Sequence, residues 1–352
     1  MAIRAMVRRV LRRQGQTMGM SESGWILKRR PDPDPAAPVH PMPLALRWSL
    51  MLLPFALWGT AMAAMKPLLP AAGPLPVATL RLLPAGAVLL LAAGLMGRPL
   101  RVHRADWPWL LAFALVDGSL FQGLLARGLV DTGAGLGSVL IDSQPLLVAL
   151  LARSLFGEAI NPVGWLGLLL GLLGILCLGL PAAVLRHWWL DGPAVLDQRA
   201  WSHGELWMLG AAVAMAVGTV LCRYAARHSD PVAVTAWHML LGGVPLLLLA
   251  EAPALAAGGS WLPAWSAGQW LLMAYASLLG SALAYGLFFW FASRGDLTGF
   301  TSLTFLTPVF AVLCGVAWLE ESLEPLQWLG AALALGSVLL INRRARLWRA
   351  GS

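Results

Sequence analysis

Ser138–Gly167 reads SVLIDSQPLLVALLARSLFGEAINPVGWLG, and Thr301–Gly330 reads TSLTFLTPVFAVLCGVAWLEESLEPLQWLG. The two stretches align without a gap at an offset of 163 residues. Pro145 falls on Pro308, Glu158 on Glu321, Pro162 on Pro325, Trp165 on Trp328 and Gly167 on Gly330. Each copy holds the end of one apolar helix, a short acidic loop and the start of another. A unit repeated in this way points to duplication, and the repeat is the frame for the rest of the chain.

The chain has 352 residues, of which 59% are hydrophobic and only 12% charged. Its mean hydropathy is +0.71. Soluble domains carry roughly 25% charged residues, and a soluble core cannot hide so much apolar surface. The class is therefore a multi-spanning membrane protein. A formal charge of +8 does not indicate nucleic acid, because the basic residues sit at the ends of apolar runs and not in an aromatic-interleaved patch. Cys177, Cys222 and Cys314 lie inside apolar runs without metal-ligand spacing, so they read as small packing residues. Neither a metal nor another cofactor is expected.

Residues 1–43 form a basic N-terminal tail followed by a Pro-rich linker, PDPDPAAPVHPMP, which cannot continue a helix. The tail reads as disordered, with an amphipathic surface helix over its first 15 residues as the alternative. From Leu44 onward, apolar segments of about 20 residues alternate with polar breaks, the length that crosses a hydrocarbon core. Ten spans are expected, near 46–66, 75–97, 107–127, 132–153, 162–181, 204–226, 231–251, 267–292, 297–319 and 325–342. They group into a first repeat at 44–181, an inter-repeat loop at 182–203, a second repeat at 204–342 and a basic cytoplasmic tail at 343–352. The expected fold class is an all-α integral membrane protein of two inverted five-helix repeats.

Orientation follows from the positive residues. Of the 25 Lys and Arg, only Lys66, Arg127, Arg186 and Arg199 fall on one side, and Arg81 lies within a span. The rest sit in the N-terminal tail, in the connections after spans two, four, six and eight, and at the C-terminus. Both termini are therefore expected in the cytoplasm of a multi-pass protein of the plasma or inner membrane. An odd number of spans per repeat turns the second copy upside down relative to the first. Further echoes support the pairing: Gly59-Thr60 with Gly218-Thr219, Gly123 with Gly286, and Leu80-Arg81 with Trp237-His238.

WGTAMAAMK at 58–66, LRLLPAG at 80–86, QPLLVALLARSLFGEAINPVGWLG at 144–167 and its copy TPVFAVLCGVAWLEESLEPLQWLG at 307–330 carry a resemblance. The sequence resembles the EamA-like group of the drug/metabolite transporter superfamily over about 44–342. The resemblance implies ten helices and the export or facilitated movement of amino acids, metabolites or small drugs. The family's loop acid falls on Glu158 and Glu321. The glycine that often precedes that acid is present as Gly157 and replaced by Glu320 in the second copy.

Cargo in inverted-repeat transporters binds near the midplane, where helices are broken. Pro145 and Pro308 are expected there as matched kinks in spans four and nine, serving as hinges or as static bends. Arg81, Asp117 and Asp142 lie inside spans, where each costs roughly 2.5–3.5 kcal/mol at a helix centre and must face protein or water. Asp117 and Asp142 are candidates for carrying a coupling proton, and Arg81 for meeting a substrate carboxylate. In the alternative, Arg81 neutralises one of the aspartates as a buried pair. The second repeat has Gly280, Phe305 and His238 at the matching positions, and His238 titrates near neutral pH in its free form. Gly135, Ser138, Asp142, Pro145 and Ala149 share one helix face. Span nine offers Thr301, Thr304 and Pro308, and span eight offers Ser277, Ser281 and Tyr285. Trp58, Tyr285, Phe288 and Phe289 are candidate cavity aromatics. Glu158 and Glu321 each precede a proline-led helix whose N-terminus an acid favours. The polar half of the cavity is expected on the Asp142 side and an apolar half opposite, with spans five and ten peripheral.

The expected function is a secondary transporter for a small metabolite, working by alternating access and exporting. Its expected partners are a small-molecule substrate, the lipid bilayer and protons, with a homodimer as a candidate assembly. Two rivals stand beside it: a membrane scaffold that kept a transporter fold, and an intramembrane enzyme built on Asp117 and Asp142. The contexts VDGS and IDSQ do not suit the enzyme, so no catalytic residue is assigned.

Overall fold

A computed structural model describes residues 16–21, 24–29, 43–131, 140–179, 203–256, 262–310, 313 and 325–351. Two compact units divide the chain, Met1–Arg47 and Trp48–Ser352. In the first, β1 (Gln16–Ser21) and β2 (Gly24–Arg29) pair antiparallel, with Ser21 opposite Gly24. This hairpin corrects the expectation of a wholly irregular tail. In β1 the apolar Met18 and Met20 alternate with Thr17, Gly19 and Ser21, the period of a strand, whereas β2 carries Trp25, Ile26 and Leu27 in succession. The alternative surface helix lies outside the described residues.

The second unit is all-helical among the described residues. Its helices are α1 (Leu44–Met65, beginning at the end of the first unit), α2 (Pro74–Leu95), α3 (Arg104–Asp131), α4 (Gln144–Phe156), α5 (Pro162–Gly179), α6 (His203–Ala225), α7 (Pro231–Ala256), α8 (Ala267–Ala292), α9 (Leu297–Phe310) and α10 (Pro325–Gly351). Seven are long and apolar enough to cross a membrane. Helices α4, α5 and α9 are shorter and adjoin segments outside the described residues, so the described chain does not by itself complete ten crossings. Leu91, Leu95, Leu248 and Leu271 are exposed on helix surfaces, the distribution of a protein whose outer solvent is lipid.

The core is drawn together by glycine. Laying Arg81 on His238 also lays Gly86 on Gly243, and these two sit where α2 and α7 meet. A Cβ on Gly86 would lie 3.0 Å from Leu240 Cγ, and one on Gly243 would lie 2.5 Å from Leu83 Cδ2. Each glycine thus receives a leucine from the other repeat, close backbone packing of the kind small residues permit in lipid. Helices α5 and α10 pair in the same way, Gly174 against Ala334 and Gly330 against Cys177.

Two helices carry a wide turn. Ala114–Phe121 of α3 and Leu278–Leu283 of α8 are π-helical. They occupy equivalent places in the two repeats. A π turn widens the helix and is frequent at functional sites. Both lie mid-span and carry the polar residues Asp117 and Ser281, both buried.

The expected kinks at Pro145 and Pro308 take a different form. Ser143 is a turn between helical Ile141-Asp142 and Gln144, so Pro145 lies in the first turn of α4. Ser302–Leu306 is 3-10 helix, and Pro308 opens the helical turn that follows. Proline is tolerated in a first turn because its missing N–H would have no intrahelical acceptor there. The α-helical bonding is thus irregular just before each proline, at the single turn residue Ser143 and over the 3-10 stretch Ser302–Leu306, while the backbone at Ser143, Thr301 and Thr307 stays right-handed helical.

Candidate cargo site and its polar neighbours

Arg81 is 4% exposed and lies about a third of the way along α2. Its Nε donates to Ser281 Oγ at 2.8 Å, Nη1 to Gln122 Oε1 at 3.2 Å and Nη2 to Tyr285 Oη at 3.4 Å. Gln122 Nε2 donates to the same Tyr285 oxygen at 3.1 Å. Gln122 and Tyr285 are each other's counterparts in the two repeats, just past the ends of the π segments. The π turn of α8 places Ser281 to donate to Ala276 O at 3.0 Å while receiving Arg81. Ser277 Oγ donates to the Arg81 carbonyl at 2.9 Å. Among the described residues Arg81 forms no direct salt bridge; its charge acts on Asp117, and Asp142 shares the wall of the same void.

Beside this network is a void of about 30 Å³. Trp58, Met62, Arg81, Phe121, Asp142, Met215, Tyr285, Thr304 and Thr307 all line it. Helices α1, α2, α3, α6, α8 and α9 contribute, as does Asp142 just before α4. Helices α5 and α10 do not. The charges come from the first repeat alone. The opposite half is not apolar, since Thr304, Thr307 and Tyr285 stand there. Trp58 Nε1, Thr304 Oγ1 and Thr307 Oγ1 are buried without a hydrogen-bond partner. An aromatic wall closes the side near Trp58, whose ring lies 5.0 Å from Tyr285 and 4.8 Å from Phe288. At about one or two waters in size, the void holds no metabolite with its side chains as they stand.

Asp117 and His238 form a second cluster. Both are fully buried, and His238 Nε2 lies 3.1 Å from Asp117 Oδ2. His238 Nδ1 lies 2.6 Å from the Thr235 carbonyl oxygen. A carbonyl can only accept, so Nδ1 carries a proton. The Nε2–Oδ2 contact then needs a second proton between them, on either partner. Phe113 stacks on the imidazole at 4.0 Å. Asp117 Oδ1 has no partner and points at Gly218, where a Cβ would lie 2.5 Å away. The echo of Gly59 at Gly218 is thus the space that Asp117 occupies. Gln144 Nε2 donates nearby to Thr219 Oγ1 at 3.1 Å.

Ser138 and Glu321 lie outside the described residues. Glu158 does not serve the helix that follows it, a correction to its expected role. Asn161 caps α5 instead, accepting from Gly164 N at 2.9 Å. Glu158 reaches across to α9 and accepts from Leu297 N at 3.0 Å, Thr298 N at 3.2 Å and Thr298 Oγ1 at 2.8 Å. The physical rule, an acid at a helix N-terminus, holds for a helix distant in sequence. Arg223 Nη1 approaches the same carboxylate at 3.5 Å.

Of the candidates, Trp58, Arg81, Asp142, Tyr285 and Thr304 line one void, Ser281 holds Arg81, and Asp117 with His238 stands apart. Pro145 and Pro308 are buried near the helix breaks. Sequence reasoning missed Gln122, although a buried amide inside an apolar span, matched to Tyr285, was a usable signal.

The EamA-like transporter family profile matches residues 47–180 and 202–343, both repeats. The chain belongs to the EamA-like transporter family. This EamA-like protein is 51% identical over 302 residues to an uncharacterized transporter of Synechocystis sp., covering 84% of this chain and 90% of that one. A WAT1-related chloroplastic protein of Arabidopsis thaliana is 46% identical, over 84% of this chain and 69% of its own. A probable terminal-alkyne amino-acid exporter of Streptantibioticus cattleyicolor is 29% identical, over 84% and 93%. A solved crystal structure aligns with a TM-score of 0.65 over 85% of this chain and 97% of that one, at 22% identity, a likeness of fold alone. The EamA-like protein is therefore a multi-pass membrane transporter.

Proposed function

We propose that this chain is a secondary transporter that exports a small metabolite by alternating access, through ten spans arranged as two inverted repeats. Both termini face the cytoplasm of the plasma or inner membrane. The observation that carries the reading is the void shared by both repeats, with Arg81 and Asp142 on its wall and three unpartnered polar atoms around it. A closed pore or scaffold core gains nothing from orphaned polar groups, each costing about 1–3 kcal/mol when buried. A site that opens to cargo and water recovers that cost.

The matched π turns, the reciprocal Gly86–Leu240 and Gly243–Leu83 contacts, and the Gln122–Tyr285 pair support inversion about an axis in the membrane plane. A residue touches its own counterpart only close to such an axis. The irregular turns before Pro145 and Pro308 are the proposed hinges, because a turn that already departs from α-helical bonding has less of it to lose on rotation. Asp117 and His238 are the proposed holders of a coupling proton, since their contact needs one proton between them and Asp117 has an oxygen unspent.

The test compares metabolites in a deletion strain and an overexpressing strain, followed by flux in proteoliposomes for each metabolite that changes. Accumulation of a metabolite inside the deletion strain is expected, and depletion there overturns export. Absence of flux for every such metabolite overturns transport in favour of a scaffold.

A further inference from the structure

The N-terminal hairpin has no place in the transport reading, and its register gives it two unlike faces. Met18 stands opposite Leu27 and Met20 opposite Trp25, with Gln16 opposite Arg29 at the open end. Directly opposite residues of an antiparallel pair fall on one face, and residues two apart along a strand fall on that same face. One face therefore holds Met18, Met20, Trp25 and Leu27. The other pairs Thr17 with Lys28, Gly19 with Ile26 and Ser21 with Gly24. A two-stranded hairpin is marginally stable in water by itself, so a face of four large apolar residues calls for a cover.

Charge and tether say what that cover is. Residues 1–30 hold eight Lys and Arg against one acid, Glu22. Lys28 and Arg29 lie at the open end of the hairpin. In sequence, Arg12 and Arg13 precede β1 and Arg30 follows β2. Asp32 and Asp34 of the linker still leave a surplus of five positive charges over residues 1–43. The linker, residues 31–43, leads into α1 at Leu44. Even fully extended it reaches no more than about 45 Å, so the hairpin stays beside the bilayer that α1 enters. A soluble partner has to be recruited, whereas lipid headgroups are present at the high effective concentration that a short tether provides.

We infer that the hairpin docks through its apolar face on the anionic phospholipid headgroups of the leaflet from which α1 starts. Basic segments next to a span are attracted by anionic lipid, and tryptophan suits the headgroup level. The open strand edges hold the hairpin at that level, where water reaches their N–H and C=O groups; in hydrocarbon those groups would go unpaired. This surface is separate from the cargo void, and neither reading depends on the other.

The test is hydrogen exchange on the full chain in two kinds of nanodisc, phosphatidylcholine alone and an equal mixture with phosphatidylglycerol. Amides of residues 16–29 are expected to exchange about tenfold or more slowly in the anionic discs, a ratio that little more than one basic residue at an anionic surface supplies. About 1 M KCl, which shortens the screening length to about 3 Å, is expected to remove most of that protection. The triple substitution Lys28→Glu, Arg29→Glu and Arg30→Glu is expected to remove it at low salt. Met20→Ser with Trp25→Ser is expected to remove it with the charge unchanged, which separates a docked face from a merely basic tail. Amides of α6 and α7 serve as the reference for an intact fold in every variant. Equal exchange in the two kinds of disc overturns the inference, as does protection that survives Met20→Ser with Trp25→Ser. Protection that requires added RNA and ignores phosphatidylglycerol overturns it in favour of nucleic acid.

Discussion

Asp117 and His238 show how much one contact constrains. The Thr235 carbonyl fixes the proton on His238 Nδ1, so the contact to Asp117 is a bond only while one proton lies between the partners. An amide can supply that proton without titrating. Asp117→Asn is therefore expected to stay within about 1.5 kcal/mol of the parent in unfolding free energy in mixed micelles. Asp117→Ala, which strands a buried imidazole, is expected to lose about 3–5 kcal/mol. In proteoliposomes Asp117→Asn is expected to keep cargo exchange and to lose the response to an imposed pH gradient. A pH response that survives in the double substitution Asp117→Asn and Asp142→Asn removes the aspartates from coupling and leaves transport intact.

Among the elements, the glycine contacts and the helix breaks make separable predictions. A Cβ on Gly242 would lie 2.5 Å from Ala114 O and from Gly118 Cα, at the π turn of α3. Ser119 Oγ also donates to Gly242 O at 2.6 Å. Gly242→Ala must push α7 off that turn and is expected to cost about 1–3 kcal/mol or more, the range for overpacking. Gly336 of α10 has nothing within 4 Å of such a Cβ, so Gly336→Ala is expected to change stability by no more than about 1 kcal/mol, in the stabilising direction, since alanine suits a helix better. Thermal unfolding of the two variants side by side checks both. Pro145→Ala restores an N–H in the first turn of α4 and is expected to cost less than about 1 kcal/mol. Its effect is expected in transport rate, where a hinge acts.

At the scale of the whole molecule, a polar band joins the two repeats on the side with the basic connections. Arg98 pairs with Asp230 at 2.9 Å, His228 with Asp106 at 2.7 Å, Arg223 with Glu158 at 3.5 Å and Arg344 with Asp296 at 2.9 Å. The first three link first-repeat to second-repeat residues, and Glu158 also holds the start of α9. Glu158→Ala is expected to raise thiol-reagent labelling of a cysteine placed near Thr304 from the side that bears the basic connections, and unchanged labelling counts against a closing role for this band. Asp296 supplies a pH signature. Its burial raises the carboxyl, but the hydrogen bond and charge of Arg344 and the Gly299 amide outweigh that and hold it below the ordinary value of 3.8. A depressed carboxyl stabilises the fold above its ordinary value, and that contribution is lost as the pH falls through the depressed one. Asp296→Asn is expected to flatten the acid limb of a stability profile and to lower stability near neutral pH.

The sequence by itself determined the class and the frame. Hydropathy in segments of about 20 residues implies helices in lipid, because an unpaired backbone there has no other solution. The repeat of Ser138–Gly167 at Thr301–Gly330 told of duplication, and charges inside spans marked Arg81, Asp117, Asp142 and His238 as residues that must find company. Which company was not legible. Arg81 and the two aspartates carry no label that sends Asp117 to His238 and leaves Arg81 with neutral partners; that choice depends on how α2, α3, α7 and α8 cross. The π turns were hidden because an extra residue in a helical turn leaves no mark in an apolar pattern. Glu158 gave the right rule and the wrong helix, since a loop acid can reach any N-terminus the fold brings near. Pairing between repeats is a property of tertiary contact, set by glycines such as Gly86 and Gly243 that let the helices approach, and only the folded chain decides it.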